Sequence, residues 1–329
     1  MPDLMLMASL FGGLLVMILA GNFLVAGSVS IARRLGVSPL VAGIFIVGFG
    51  TSAPEMIVSL DAALEGKPGL ALGNIVGSNI ANVFLVLGIP ALIAPLTAGG
   101  IGEGRALITM LLATALWIGI TSLMPLSPMI GLCFLLLVVA YSGITFIQAR
   151  RAVSAGRDPG VTPDEDPHVP MWRALIYVPL GIVGLFIGSH YVISGGVGIA
   201  HFYQVPEEYI GLSLLALGTS LPEVGAGIAA AFRRQGEVLI GNVLGSNIFN
   251  IFAAGGLVSL FGEVEVAPTF HQYDHWAMGF AALVLTLIII TRARIGRLAG
   301  LLLLLLYAVY IYGLISGFNL LGLFQPVQP

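Results

Sequence analysis

Nearly the whole of this chain consists of apolar stretches long enough to cross a bilayer, joined by short polar connections. A helix needs about 20 mostly apolar residues to span the hydrocarbon. Inside lipid, every backbone N–H and C=O must find a partner, so continuous apolar runs of this length become helices. Ten runs are read, at residues 4–31, 38–64, 69–95, 105–123, 127–149, 172–201, 206–232, 237–261, 274–291 and 297–320. Hydrophobic residues make up 58% of the 329 and charged residues only 9%, which excludes a soluble enzyme domain and a nucleic-acid binder. The expected fold is an all-α polytopic membrane protein with ten transmembrane helices in the lipid bilayer. Its 44 glycines suit helices packed at close range.

Charge placement sets the orientation. With the N-terminus outside, the cytoplasmic connections hold Arg33, Arg34, Arg105, Arg150, Arg151, Arg157, Arg173, Arg233, Arg234, Arg292, Arg294 and Arg297. Only Lys67 falls on the other side. This positive-inside bias supports the span count and places both termini outside in a plasma (inner) membrane. The first run follows Met1-Pro2-Asp3 without a basic n-region, so it reads as a retained helix. Cys133, alone in an apolar run, is expected to serve packing. Residues 150–171 mix Pro159, Pro163 and Pro167 with Asp158, Asp164, Glu165 and Asp166, and read as a solvated cytoplasmic connector. A calcium site there lacks EF-hand spacing. The connector divides the chain into a first five-helix half, 1–149, and a second, 172–329.

The halves repeat each other. At an offset of 168, positions 50–82 match 218–250 at fourteen of 33 sites, and the identities are mostly Gly, Pro, Thr, Ser, Asn and Glu. Generic apolar similarity would have matched Leu and Val instead, so the repeat is chemical as well as architectural. Five helices separate equivalent points, so the copies run through the membrane in opposite directions. This is an inverted-topology repeat of five plus five, a construction common in secondary transporters, whose substrate sites lie near the midplane between repeats.

Each copy carries two polar segments. The first is Gly50-Thr51-Ser52-Ala53-Pro54-Glu55, repeated as Gly218-Thr219-Ser220-Leu221-Pro222-Glu223. A carboxylate at membrane depth costs about 2.5–3.5 kcal/mol on insertion scales, so two in matching frames call for cations. Pro54 and Pro222 each remove a helical hydrogen bond and free carbonyls near the preceding Gly-Thr. Freed carbonyls at this depth can ligate cations. The second segment runs Gly73-Asn74 to Gly77-Ser78-Asn79 and Asn82, repeated as Gly241-Asn242 to Gly245-Ser246-Asn247 and Asn250. Gly73 and Gly77 are expected to admit a neighbouring backbone, and Asn74, Ser78 and Asn82 line one helix face. Interhelical glue explains one such copy. A duplicated pair beside a duplicated Glu points to coordination.

These segments resemble the alpha-1 and alpha-2 repeats of the calcium/cation antiporter superfamily, in its sodium/calcium exchanger branch, over about 38–95 and 206–261. The family's proton-coupled calcium exchangers usually carry a Gly-Asn-x-x-Glu signature, so Gly-Thr-Ser-x-Pro-Glu resembles the sodium-coupled branch. The resemblance implies an antiporter rather than an enzyme, with Ca2+ and Na+ as transported ions and neither a cofactor nor an obligate protein partner. It implies a calcium site made from the carboxylates of Glu55 and Glu223 and the backbone carbonyls of Thr51 and Thr219. Calcium takes six to eight oxygens, and two bidentate carboxylates plus two carbonyls supply six. Flanking sodium sites would share Glu55 and Glu223 and recruit Ser52, Ser78, Ser220 and Ser246, with backbone oxygens of Gly48 and Ala216. Asn82 and Asn250 would complete a polar centre. Some family members place Asp where this chain has Asn250, so the core here carries two carboxylates and no third. The resemblance further implies three-for-one exchange by alternating access, with the helices at 4–31 and 172–201 sliding over a fixed core.

The remaining polar residues carry less. Asp61 has Ala229 as its repeat equivalent, which argues against a core ligand and leaves an external vestibule role open. His190 is expected to be packed and hydrogen-bonded. Glu207, Glu208, Glu263, Glu265 and Asp274 crowd the expected outer face as solvated charges or cation attractors. A proton/calcium exchanger is the alternative within the transporter class. A passive cation channel could use the same ligand types. An intramembrane hydrolase would need a nucleophile with a base or metal, and no His-Glu-x-x-His occurs.

Overall fold

In the computed structural model, described for residues 3–98, 102–154, 169–204, 217–267 and 270–316, almost every residue is helical. The elements are α1 (Leu4–Leu35), α2 (Pro39–Leu64), α3 (Pro68–Ile93), α4 (Glu103–Leu123), α5 (Pro128–Ser154), α6 (Met171–Phe202), α7 (Leu221–Phe232), α8 (Gly236–Leu260), α9 (Phe270–Ile290) and α10 (Arg297–Ile315). Nine are long and apolar enough to cross a membrane, and α7 is a shorter apolar helix. The expected run at 206–232 is described only from 217, so its first part lies outside the described residues.

Helix ends follow local chemistry. Asp3 caps α1, its side chain accepting from the Met5 N–H at 3.3 Å. At the far end Gly36 takes φ 67°, which only glycine adopts without strain, and its N–H returns to the carbonyls of Ala32 and Arg33. Arg33 and Arg34 occupy that last turn, where the helix dipole favours cations. These caps carry α1 to residue 35 rather than 31. Ser38 then accepts from the Val41 N–H and Pro39 opens α2, an N-cap followed by proline at N1.

Two short antiparallel contacts fix the topology. Leu96 and Thr97, between α3 and α4, pair with Ile295 and Arg294, between α9 and α10. Leu126, between α4 and α5, bridges Val264, between α8 and α9. Paired connections share a face of the protein, so an even number of crossings must separate them. Six and four do so when the chain crosses once between Phe202 and Gly236, and an odd count would put each pair on opposite faces.

The motif helices sit at the centre. In α3 and α8, 89% of the spanning window is buried, against 22% in α1 and α6 and 17% in α5. The outer helices turn Leu14, Leu15, Leu136, Leu180 and Leu305 outward, a surface suited to lipid. Glycines set the closest approaches. A Cβ at Gly245 would stand 2.7 Å from the Ile44 carbonyl oxygen, and one at Gly241 would strike the Leu40 carbonyl, so α2 and α8 touch backbone to backbone. Gly241→Ala is therefore expected to cost about 1–3 kcal/mol by overpacking, read as a lower unfolding midpoint in detergent. For Gly73 and Gly77, nothing described lies within 4 Å of such a Cβ, and the segment that the repeat would pair with them falls among residues 205–216, outside the described set. Among the described residues the close approach is seen at Gly241 and Gly245, and the expectation for Gly73 and Gly77 falls on the segment outside them.

Along α1 and α6 a second seam runs the length of both helices. Gly13 meets the Gly188 carbonyl, Gly181 meets Leu24 and Gly195 meets Leu10, each hypothetical Cβ falling at 2.6–2.7 Å. Ser9 and Ser30 tie the ends, donating to Tyr191 and Val169 carbonyls at 2.9 and 2.7 Å. Three expectations fail in this outer layer. His190 is exposed and lies beside the Tyr191 ring instead of packing inward. Cys133 is exposed as well. Asp274 is buried, not solvated, and accepts a hydrogen bond from the Tyr310 hydroxyl at 3.0 Å.

Candidate cation site

The duplicated Gly-Thr-Ser-x-Pro-Glu breaks its helix at the same place in both copies. Ser52 and Ser220 share φ −83°, with ψ 0° and −1°, and a fresh helix starts at the next residue. Each proline falls at the second position of that helix, where its missing N–H is tolerated. The carbonyl four residues earlier, Gly50 or Gly218, loses its normal donor. Ahead of the break, Gly43–Gly48 widens into a π-turn, which also loosens the carbonyl ladder leading to Thr51. Glu55 and Glu223 then stand in the first turn after each break and are fully buried.

Cross-repeat hydrogen bonds hold the two breaks together. Thr51 Oγ1 donates to the Val47 carbonyl at 3.0 Å and lies 3.3 Å from Asn242 Oδ1. In the mirrored relation Thr219 Oγ1 donates to Asn74 Oδ1 at 3.0 Å. Ser52 Oγ donates to Glu223 Oε1 at 3.2 Å, and Ser246 Oγ donates to the Gly48 carbonyl at 3.3 Å. Ser78 Oγ lies 3.4 Å from Thr219 Oγ1, and Asn82 Nδ2 donates to Asn247 Oδ1 at 3.0 Å. Residues 168 positions apart in sequence are thus interleaved in one layer. Of the residues read from the sequence, Glu55, Glu223, Thr51, Thr219, Ser52, Ser78, Ser220, Ser246, Gly48, Asn82 and Asn250 lie on the broken segments or on α3 and α8. Ala216 lies outside the described residues.

What these bonds leave over defines the chemistry. Both oxygens of Glu55, Oε2 of Glu223, Oδ1 of Asn82, both amide atoms of Asn250 and the Ser220 hydroxyl are buried without a hydrogen-bond partner among the described residues. Buried acceptors without donors are rare and costly. The two carboxylates also interact electrostatically with each other. No Lys or Arg appears among the buried polar residues described. Only a cation, or protons, satisfies several buried oxygens and two negative charges together. The donors are carboxylate, hydroxyl, amide and backbone oxygens, a hard set that fits sodium and calcium. Among the described residues no three His, Cys, Asp or Glu side chains converge, so the set does not match a transition-metal centre.

Most of this layer is sealed. Thr51, Ser52, Glu55, Ser78, Ser220, Glu223, Ser246 and Asn250 are buried, and Thr219 alone is half exposed. From α6, Ile182 and Ile193 lie against the two motif glycines, at 2.7 and 3.1 Å from Cβ positions built on Gly50 and Gly218. The sequence singled out neither Ser59 nor Met110, and named Asn242 and Asn247 only as members of the repeated segment. Asn74 it placed on the polar face and went no further. Ser59 could not be found from the repeat, because its equivalent is Gly227.

Comparison with known proteins agrees with this arrangement along the chain. The profile described as sodium/calcium exchanger protein matches residues 5–147 and 173–316. The putative antiporter CaxA of Alkalimonas amylolytica is 33% identical over 320 residues, covering 95% of this chain and all of that one. The sodium/calcium exchanger MaX1 of Methanosarcina acetivorans is 28% identical, covering 91% and 95%. Among solved structures, the sodium-calcium exchanger NCX_Mj superposes with a TM-score of 0.79 at 29% identity, covering 95% of this chain and 99% of that one. Matches in both halves, on either side of the connector, leave the whole described fold accounted for, and the chain belongs to the sodium/calcium exchanger protein family.

Proposed function

We propose that this protein is a secondary antiporter that exchanges sodium for calcium by alternating access. The observation that carries the reading is the pair of fully buried carboxylates, one from each repeat, with three of their four oxygens unmet by a donor and no Lys or Arg buried with them among the described residues. Calcium is held by Glu55, Glu223 and the carbonyls of Thr51 and Thr219. Sodium uses the same carboxylates with Ser52, Ser78, Ser220, Ser246, Gly48 and Ala216. Shared carboxylates make the ions compete, and competition is the coupling. The empty, ionised site strands two negative charges in a low dielectric and moves poorly, so only loaded carriers switch sides. The protein sits in the cell membrane with both termini outside and the connector in the cytoplasm, and its halves are 1–149 and 172–329.

The test is calcium uptake into proteoliposomes with sodium and proton gradients imposed separately. Uphill uptake is expected with the sodium gradient alone. Uptake driven only by the proton gradient selects proton/calcium exchange, and calcium that runs only down its own gradient makes the protein a channel. With three sodium ions exchanged per calcium, one net charge moves per cycle, worth about 2.3 kcal/mol per 100 mV. An inside-negative potential set with valinomycin is then expected to speed sodium entry coupled to calcium exit. A rate insensitive to voltage would make the exchange electroneutral.

A further inference from the structure

Asn74 makes more contacts in the site than any residue assigned as a ligand. Its Nδ2 donates to the Glu55 carbonyl at 3.2 Å and to Ser59 Oγ at 2.9 Å, while its Oδ1 accepts from Thr219 Oγ1 at 3.0 Å. The amide orientation follows from chemistry, because a carbonyl can only accept and so must face the NH2. The Thr219 hydroxyl, having given its proton to Asn74, is left to accept from Ser78 Oγ at 3.4 Å. One buried side chain on α3 thereby grips the Glu55–Ser59 turn of the first repeat and the Thr219 hydroxyl of the second.

Its repeat equivalent does far less. Asn242 is buried and takes one contact, from Thr51 Oγ1 at 3.3 Å, and its Nδ2 has no partner. With the contacts in view, one difference between the repeats accounts for the missing hydroxyl partner. Where Ser59 supplies a hydroxyl to Asn74, the second repeat has Gly227. That glycine is closely surrounded, since a Cβ would stand 3.1 Å from Leu239 and Pro90 carbons and 3.3 Å from the Val86 carbonyl. The Glu55 turn is pinned and the Glu223 turn is not.

We propose that Asn74 is the positioning residue of the cation site, holding Glu55 and Thr219, two donors from opposite repeats, at the spacing calcium requires, with no equal counterpart at Asn242. The assignment rests on the antiport reading above. It makes the backbone turn of Glu55 the part of the site that Asn74 fixes, while the Glu223 carboxylate is held from the other repeat by Ser52. Asn74 acts through Glu55 and Thr219 and touches no ion itself.

The experiment uses the full chain in proteoliposomes, with calcium binding in detergent measured by calorimetry as a readout independent of transport. Asn74→Ala is expected to raise the calcium KM and dissociation constant about tenfold or more with kcat within about threefold, the pattern of lost positioning in the bound state. Asn242→Ala is expected to change both by less than about threefold. Thr219→Val keeps the backbone carbonyl but removes the hydroxyl, and raises the KM on its own. Combined with Asn74→Ala it should add less than about twofold, because both remove one link. Ser59→Ala, a milder cut in the same grip, gives a smaller rise and serves if Asn74→Ala does not fold. Equal losses at Asn74 and Asn242, a fall in unfolding midpoint with calcium affinity unchanged in both Asn74→Ala and Ser59→Ala, or multiplying effects of the Asn74 and Thr219 changes would each overturn the assignment. Failure of wild-type uptake with the sodium gradient, alongside intact calcium binding, would instead remove the antiport reading and leave the positioning result to stand or fall on calorimetry.

Discussion

Glu55→Gln and Glu223→Gln are each expected to abolish sodium-driven calcium uptake, by about 100-fold or more, while leaving the protein folded. The size follows from charge. Replacing one of two carboxylates that share a divalent ion removes an attraction of about 8 kcal/mol at 4 Å and an effective dielectric constant of 20, twice the value for unit charges. Even half of that is more than a tenfold loss of affinity. Folding should survive, because in the ion-free protein Glu55 has no hydrogen bond to lose at either oxygen and Glu223 has one, from Ser52. Removing a buried, mutually repelling charge relieves the fold. Unfolding midpoints without calcium should therefore rise or hold, and the stabilisation that calcium gives to the wild type should require far higher calcium in both variants. Wild-type flux in either variant would remove that carboxylate from the site. A collapse of both variants at every calcium concentration would give the carboxylates a structural role instead.

The two variants also separate the repeats. Glu55 belongs to the turn gripped by Asn74, and Glu223 to the turn without such a grip. Residual calcium binding should be weaker in Glu55→Gln, which loses the ligand on the gripped turn, than in Glu223→Gln, which loses the one on the turn without that grip. Titration of calcium-dependent stabilisation reads that difference.

Much of this was legible in the sequence, and the residues show why. Hydropathy and the arginine map give ten helices and their order because lipid leaves the backbone no other economical solution. The doubled motifs give the site because acids and prolines at membrane depth are too costly without a purpose. Asymmetry was not legible. Alignment of the halves makes Asn74 and Asn242 equal, yet Asn74 closes on three partners and Asn242 on one, since Ser59 lies outside the matched positions. The same holds for the π-turn at Asn250–Ala254, whose counterpart in α3 is regular helix. Hydrophobicity alone also misjudged the periphery. His190 and Cys133 sit on α6 and α5, helices buried along one narrow face, so most positions there point outward whatever their chemistry.

Asn250→Asp is expected to lower the sodium concentration for half-maximal exchange about tenfold and to leave the maximal rate equal or lower. Asn250 is fully buried, and neither its Oδ1 nor its Nδ2 has a partner, so the surrounding structure does not demand an amide there. An aspartate fits the same volume and turns an unmet acceptor into a third negative charge. At an effective dielectric constant of about 20, each close sodium ion gains up to about 4 kcal/mol from that charge, and desolvation of the new carboxylate takes back part of it. A net gain of about 1.4 kcal/mol is the tenfold change. The same charge penalises the unloaded carrier, because three carboxylates in place of two must be neutralised before the site can change sides. Half-maximal sodium therefore falls, and the maximal rate falls too where release of the tighter-held sodium becomes the slow step. Sodium-dependent calcium efflux from proteoliposomes, measured across a range of sodium concentrations, separates the two effects. An unchanged half-maximal concentration would place Asn250 beyond reach of the sodium ions and confine the site to the layer of Glu55 and Glu223.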